Sequence, residues 1–188
     1  MNFSLLPASS GAIHLVIAPH AGTGLITETA ARLALAGQVR VLDCGNRFNV
    51  YPVAKAVRRL TTEMDPVLER ILLSRAFTCY QVLALLRQET SPKPAPILVV
   101  DLLATFLDEN IPLAESRRLL DHSLYEIERL SQAAPVLITV KPLLTLSADR
   151  ASLLEVLMQT ATAVYRLEDP SPLPEPQLQG MLFSADQL

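Results

Sequence analysis

Lysine is scarce in this sequence: there are three, Lys55, Lys93 and Lys141, and none precedes Lys55. The formal net charge is −3 and the sequence pI is about 5.6. A chain with this charge balance has no global basic field that would draw it to nucleic acid. We therefore expect DNA binding to be weak or indirect.

Cysteine is also scarce, and the beginning of the chain carries no charge. The two cysteines, Cys44 and Cys79, are far apart and have no partners at metal-ligand spacing, which indicates a reducing compartment and small buried side chains. The first Asp, Glu, Lys or Arg is Glu28. Prolines and glycines interrupt this uncharged start and no basic segment precedes it. We expect a cytoplasmic protein without a signal peptide or a membrane span.

Apolar residues are plentiful: they make up 50% of the 188 residues, which excludes a disordered chain and allows one domain with a sizeable core. Helices are predicted up to residue 36 and over 52–60, 78–88, 112–133 and 147–160. Strands are predicted at Ile13–Ala18, Val39–Cys44, Arg70–Ala76, Pro96–Asp101, Pro135–Val140, Ala163–Leu167 and Met181–Ser184. This alternation predicts the α/β class, with a largely parallel central sheet flanked by helices on both faces.

The run Pro96-Ile-Leu-Val-Val-Asp101 indicates a strand buried on both faces, because its four middle residues are apolar and three of them are β-branched. Its final carboxylate would lie at the carboxyl edge of the sheet, where open α/β folds bind their ligands. A Walker B aspartate of P-loop NTPases has this position. A strand that simply stops at Asp101 explains the same residues.

The first strand leads into the loop Pro19–Gly24 and then into a helix. A strand, a glycine-containing loop and a helix can together hold a phosphate through backbone N–H groups. The Walker A pattern also requires lysine directly after its last glycine. Here Gly22 is followed by Thr23, and Gly24 by Leu25. The loop has the expected shape without the charge, and a plain strand-to-helix turn explains it equally.

Four stretches resemble the ATPase core of the RecA superfamily, in particular the archaeal and eukaryotic strand-exchange recombinases and their paralogues. Leu68–Gln81 is similar to the family's N-I-x-x-A-R-A-x-x-x-x-x-Q stretch, and Leu113–Arg117 to its L-A-E-R-Q. Val136–Val140 is similar to V-x-I-T-N, and Asp169–Glu175 to S-P-x-L-P-E. The resemblance implies a single RecA-like P-loop NTPase core over 1–188. It would contain a degenerate phosphate loop at 18–25 and a Walker B-like strand at 96–101, and would lack the N-terminal DNA-binding domain.

The sequence departs from the family where the family's chemistry lies. The Walker lysine corresponds to Leu25, and the catalytic glutamate of D-x-E-G corresponds to Gly45 when Asp43 is matched. The N-Q pair that senses the γ-phosphate corresponds to Val140 and Lys141. Loss of one such group typically lowers the rate on the order of 10²–10³-fold. We therefore expect no efficient ATP hydrolysis and no catalytic residue.

By resemblance, a degenerate nucleotide site would use Gly22, Thr23, Gly24, Asp101 and Lys141. It allows weak Mg-ATP binding, with Asp101 as a metal ligand only if Mg-nucleotide binds, and no other cofactor or metal is expected. For Lys141 we favour the account of a surface lysine whose stem lies along the protein. The three histidines show neither metal-ligand spacing nor a catalytic triad.

Two arginine pairs on predicted helices are candidate partner contacts. They are Arg58 and Arg59 on one helix and Arg117 and Arg118 on another, and solvated helix faces explain them as well. The resemblance implies an ATPase-deficient accessory or interaction subunit of the recombinase-paralogue type, with DNA recombination or repair as its setting. Its partner would be a second copy or a RecA-family protein. Two alternatives stay open: a nucleotide-binding ATPase or switch that completes its site in trans, and a RecA-fold regulator unrelated to DNA.

Overall fold

The structure, a computed structural model, describes residues 10–89, 94–142 and 148–168. In these ranges the chain forms six strands and six α-helices. In chain order they are β1 (Ile13–Ile17), α1 (Thr23–Ala36), β2 (Val39–Asp43), α2 (Val50–Leu60), α3 (Met64–Leu68), β3 (Ile71–Arg75), α4 (Cys79–Gln88), β4 (Ile97–Val100), α5 (Leu113–Ser131), β5 (Val136–Val140), α6 (Ala148–Thr160) and β6 (Ala163–Arg166).

The strands form one sheet in the order β3-β2-β4-β5-β1-β6, and every neighbouring pair is parallel. In the register of the sheet, Asp43 at the end of β2 lies between Arg75 of β3 and Val100 of β4. Helices connect the strands and cover both faces. The predicted α/β class, with a parallel sheet between two helical layers, is confirmed.

The chain winds across the sheet in two directions. From β1 it runs through β2 to β3, and α1, α2 and α3 cover one face; from β3 it returns through β4 and β5 to β6, and α4, α5 and α6 cover the other. Right-handed crossovers require this division of the helices. The helices leave to opposite faces after three neighbouring strand pairs: β3 with β2, β2 with β4, and β5 with β1. At such reversals a crevice opens beyond the carboxyl ends of the strands.

Short sequence signals set the helix starts. The Asn49 side chain accepts a hydrogen bond from the Tyr51 backbone N–H and begins α2. Thr78 Oγ1 accepts from the Gln81 N–H, which confirms the predicted capping residue of α4. The Gln81 side chain accepts in return from the N–H of Phe77, one residue before the expected position.

Some elements differ from the sequence predictions or lie beyond their reach. Neither α3 nor the 3-10 turn at Leu102–Thr105 was predicted, because elements of four or five residues show no helical periodicity. The predicted start of α6 at Ser147, the strand at Met181–Ser184 and the Asp169–Glu175 stretch lie outside the described residues. The single domain over 1–188 stays a prediction. Within the described ranges no helix is both long and apolar enough to cross a membrane.

Candidate functional site

Two buried aspartates lie at the carboxyl edge of the sheet, one on each side of the β2/β4 crevice. Asp43 is the last residue of β2, and Asp101 directly follows β4. Their relative exposures are 0% and 2%. A carboxylate buried to this extent requires a compensating positive charge or several hydrogen bonds.

Asp43 organises the loop that follows β2. Its Oδ1 accepts the backbone N–H of Arg47 at 2.9 Å, and its Oδ2 accepts that of Phe48 at 3.0 Å. Arg75, its neighbour on β3, donates from Nε to the same Oδ2 at 3.3 Å and from a terminal nitrogen to the Phe48 carbonyl at 2.8 Å. Both carboxylate oxygens are therefore occupied within the chain, which gives Asp43 a structural role.

Asp101 receives its positive charge from the loop after β2. Arg47 Nε donates to Asp101 Oδ2 at 2.7 Å, and Lys141 Nζ lies 3.7 Å from the same oxygen. The Asp101 N–H bonds Thr139 Oγ1 on β5 at 3.2 Å. Asp101 has φ 53°, a left-handed conformation that Asp tolerates better than most residues. A guanidinium thus sits at the carboxylate that the resemblance assigned to Mg²⁺, and sequence reasoning missed Arg47.

Gly45 explains why this loop carries no catalytic base. A Cβ placed on Gly45 would lie 2.6 Å from Asp101 Cβ and 2.7 Å from Asp101 Oδ2. No real Cβ tolerates a neighbour at that distance without a shift of the backbone or of Asp101. This loop conformation therefore leaves no room for a side chain at the position that the resemblance matches to the family's glutamate.

The loop after β1 is a tight left-handed turn. His20, Ala21 and Gly22 have φ of 52°, 55° and 60°, and Ala21 is fully buried, with its N–H bonded to the Ala18 carbonyl. α1 begins at Thr23 without a side-chain cap. Leu25, which corresponds to the Walker lysine, packs against the core on the α1 face. The turn therefore presents backbone and the exposed His20, but no lysine or arginine.

The predicted nucleotide residues are only partly brought together. Asp101 and Lys141 are neighbours, and a Cβ on Gly22 would lie 3.8 Å from Thr139 Cγ2 on the adjacent strand. Thr23 and Gly24 form the first turn of α1, and Gly24 points to open space. Nucleotide binding by these residues stays a prediction.

The predicted arginine contacts do not form one surface. Arg58 and Arg59 lie on α2, whereas Arg117 and Arg118 lie on α5 across the sheet. Three of them have acidic partners on the protein itself: Arg59 pairs with Glu28, Arg117 with Asp121 and Arg118 with Glu115. Their role in partner contacts stays a prediction.

His14 and the two cysteines are buried side chains. His14 on β1 is buried and stacks on Tyr165, and desolvation lowers its pKa. Cys44 and Cys79 are buried as predicted, and loss of solvent raises the pKa of both thiols. In the part of the chain that the structure describes, no three His, Cys, Asp or Glu side chains are grouped to hold a metal ion.

A second concave feature lies at the β3 edge of the sheet. A cavity of about 270 Å³ opens beside β2, β3 and α4. Its wall includes Leu42, Leu72, Ser74, Leu85 and Leu86. Arg40 and Glu89 form an ion pair in the same wall, and Arg40 Nε is buried without a hydrogen-bond partner among the described residues. Leu72 is exposed on this side. We call this feature the β3-edge groove; sequence reasoning missed it because only the packing of α4 on the sheet creates it.

The close approach of Gly45 to Asp101 generates a stability prediction. Gly45→Ala should destabilise the protein by about 1–3 kcal/mol, because the added methyl group overpacks the buried carboxylate. Gly24→Ala is the matched control: it points to open space in the first turn of α1, so it should be neutral or stabilising by up to about 1 kcal/mol. Urea unfolding measures both. Equal stability of Gly45→Ala and the parent would contradict the packing of the loop on Asp101.

The chain was also compared with known proteins. No protein-family model matches it, and no curated protein sequence matches it either. The resemblance to the RecA superfamily stays a prediction from the quoted motifs.

Proposed function

We propose that this chain is an ATPase-deficient RecA-like protein that acts as an accessory or interaction subunit of the recombinase-paralogue type, with DNA recombination or repair as its setting. The observation that carries the proposal is the Arg47–Asp101 ion pair: in an α/β sheet of this type, an internal cation neutralises the carboxylate that would otherwise bind Mg-nucleotide.

The placement of the motifs supports the RecA-like part of the proposal. Leu68–Gln81 covers the end of α3, all of β3 and the start of α4, which is the strand-to-helix layout of the family stretch. Leu113–Arg117 opens the long helix α5 after β4, and Val136–Val140 is β5. The resemblance implies that the strand ending at Lys141 neighbours the strand ending at Asp101, and β5 does pair with β4.

Three features argue against ATP hydrolysis. The side chain at the Walker lysine position, Leu25, packs into the core, and Gly45 has no room for a base. Arg47 already compensates Asp101. Phosphoryl transfer depends on positioning and on charge stabilisation. A Walker lysine, a catalytic base and a metal ion at Asp101 would each supply part of both. A turnover rate far below that of the family's active members follows.

The β3-edge groove supports an interaction role. β3 pairs only with β2 among the described strands, so its outer backbone N–H and C=O groups can pair with an extended segment of another chain. The groove beside it would take an apolar side chain of that segment. The expected partner is a second copy of this chain or a RecA-family protein.

The ATPase-deficient half of the proposal is tested with nucleotide. Mg-ATP at about 1 mM should raise the melting temperature by clearly less than roughly 5 °C, the shift expected at 100 times the dissociation constant. Phosphate release should stay at the background rate. A shift of that size that disappears on removal of Mg²⁺, or in Asp101→Asn, would contradict the proposal.

The interaction half is tested on the two edges of the sheet. Leu72 on β3 and Val164 on β6 are matched, with relative exposures of 41% and 40%. Leu72→Lys should weaken self-association or partner affinity about tenfold or more, whereas Val164→Lys should leave it unchanged and both should fold normally.

Sedimentation at micromolar concentration measures self-association, and purification from the native host identifies a RecA-family partner. A strictly monomeric protein that recovers no such partner would remove the support for this role. Equal effects of the two substitutions would show that the β3-edge groove is not the contact.

A further inference from the structure

The ionic cluster at the β2/β4 crevice has its negative charges inside and its positive charges outside. The two acids, Asp43 and Asp101, have side-chain exposures of 0% and 3%. The three cations paired with them, Arg47, Arg75 and Lys141, have exposures of 32%, 40% and 42%. Three positive charges against two negative ones leave a surplus of one, and it faces the solvent. Within this cluster the exposed groups are the three cations, although the whole chain carries a net charge of −3.

Arg47 is oriented for anion binding by the bond that it already makes. Its Nε donates to Asp101 at 2.7 Å, and in the described part of the chain its two terminal nitrogens have no hydrogen-bond partner. A guanidinium held through Nε keeps its terminal N–H groups in a fixed plane, which suits the paired oxygens of a phosphate or carboxylate. The carboxylate beneath it acts as the orienting group.

Lys141 adds a second cation at the same carboxylate oxygen. Since Arg47 Nε lies 2.7 Å and Lys141 Nζ 3.7 Å from Asp101 Oδ2, the two nitrogens are at most 6.4 Å apart, the sum of these distances. Two like charges this close repel, and one buried carboxylate compensates only one of them. A second anion bound between them would compensate the other.

The start of α1 lies beside this pair of cations. Asp101 bonds Thr139, and Thr139 Cγ2 approaches Gly22, the residue that precedes the uncapped first turn of α1. The positive end of the helix dipole therefore adds to the field over the same edge of the sheet. The helix end contributes to anion binding here only together with the two cations.

We propose that the β2/β4 crevice binds a phosphate-sized oxyanion directly through Arg47 and Lys141, without a divalent cation. Arg47 would donate two hydrogen bonds from its terminal nitrogens, and Lys141 would contribute an ammonium group. The ligand is either inorganic phosphate or the phosphate group of a larger molecule such as a nucleotide. This site is independent of the interaction role, because it uses the carboxyl edge of the sheet and not the β3-edge groove.

Calorimetric titration of the full chain in EDTA tests the site, with inorganic phosphate as the probe and chloride at equal ionic strength as the blank. We expect saturable binding with a dissociation constant on the order of 1 mM, and about tenfold weaker binding in Lys141→Met, since a charged hydrogen bond is lost. Lys141 is half-exposed, so this variant should fold. Arg117→Met on α5 is the matched control and should bind as the parent does.

A second variant separates the orientation of Arg47 from its charge. Arg47→Lys keeps a cation near Asp101 but removes the planar fork, so it should fold and yet bind phosphate about tenfold more weakly. Parallel titrations with ATP in EDTA distinguish the sources of the ligand. Binding of ATP that is tighter than that of phosphate and sensitive to Lys141→Met identifies a nucleotide phosphate, whereas tighter binding of phosphate identifies the free ion. No saturable binding of either probe, or equal binding by the parent, Lys141→Met and Arg47→Lys, would overturn the site whatever the outcome of the partner experiments.

Discussion

The ion pair between Asp101 and Arg47 is the constraint on which the carboxyl edge of the sheet depends. Asp101 is buried at the end of a strand whose residues are all buried, and a buried carboxylate without a partner costs several kcal/mol. Arg47 reaches it only because Asp43 fixes the intervening loop through the N–H groups of Arg47 and Phe48. The same loop passes so close to Asp101 that position 45 has no room for a side chain. The ion pair, the loop conformation, the glycine at position 45 and the left-handed turn at Asp101 thus depend on one another.

The pair also supplies a positive charge at one of the crevices that the sheet topology creates. The winding of the sheet creates crevices at β2/β4 and β5/β1 whatever residues line them. In this chain Arg47 supplies the positive charge at the β2/β4 crevice, so the fold needs no exchangeable cation there. The β3-edge groove lies at another border of the sheet and is lined mainly by apolar side chains. The proposed partner contact therefore uses a part of the sheet that the ion pair does not occupy.

The sequence predicted the strands and helices well because these elements depend on local patterns. The apolar run before Asp101, the short run at Arg70–Ala76 and the Thr78 cap all identified their elements to within one or two residues. The site was harder to predict. Arg47 and Asp101 are 54 positions apart, and only the pairing of β2 with β4 makes them neighbours. The residues next to an arginine that follows a strand do not indicate such a contact. Glycine is likewise required at position 45 because Asp101, which follows another strand, lies so close. The residues around position 45 do not indicate this contact.

A double-mutant cycle on Arg47→Met and Asp101→Asn, followed by urea unfolding, tests the central claim most directly. Each single substitution should destabilise the protein by about 2–4 kcal/mol, because it leaves one charge or polar group of the pair uncompensated. The double variant should lose less than the sum of the two, with a coupling of at least about 1 kcal/mol, and Mg²⁺ should not stabilise the parent. Additive effects within about 0.5 kcal/mol, or a parent protein that Mg²⁺ stabilises, would show that Asp101 takes its positive charge from elsewhere.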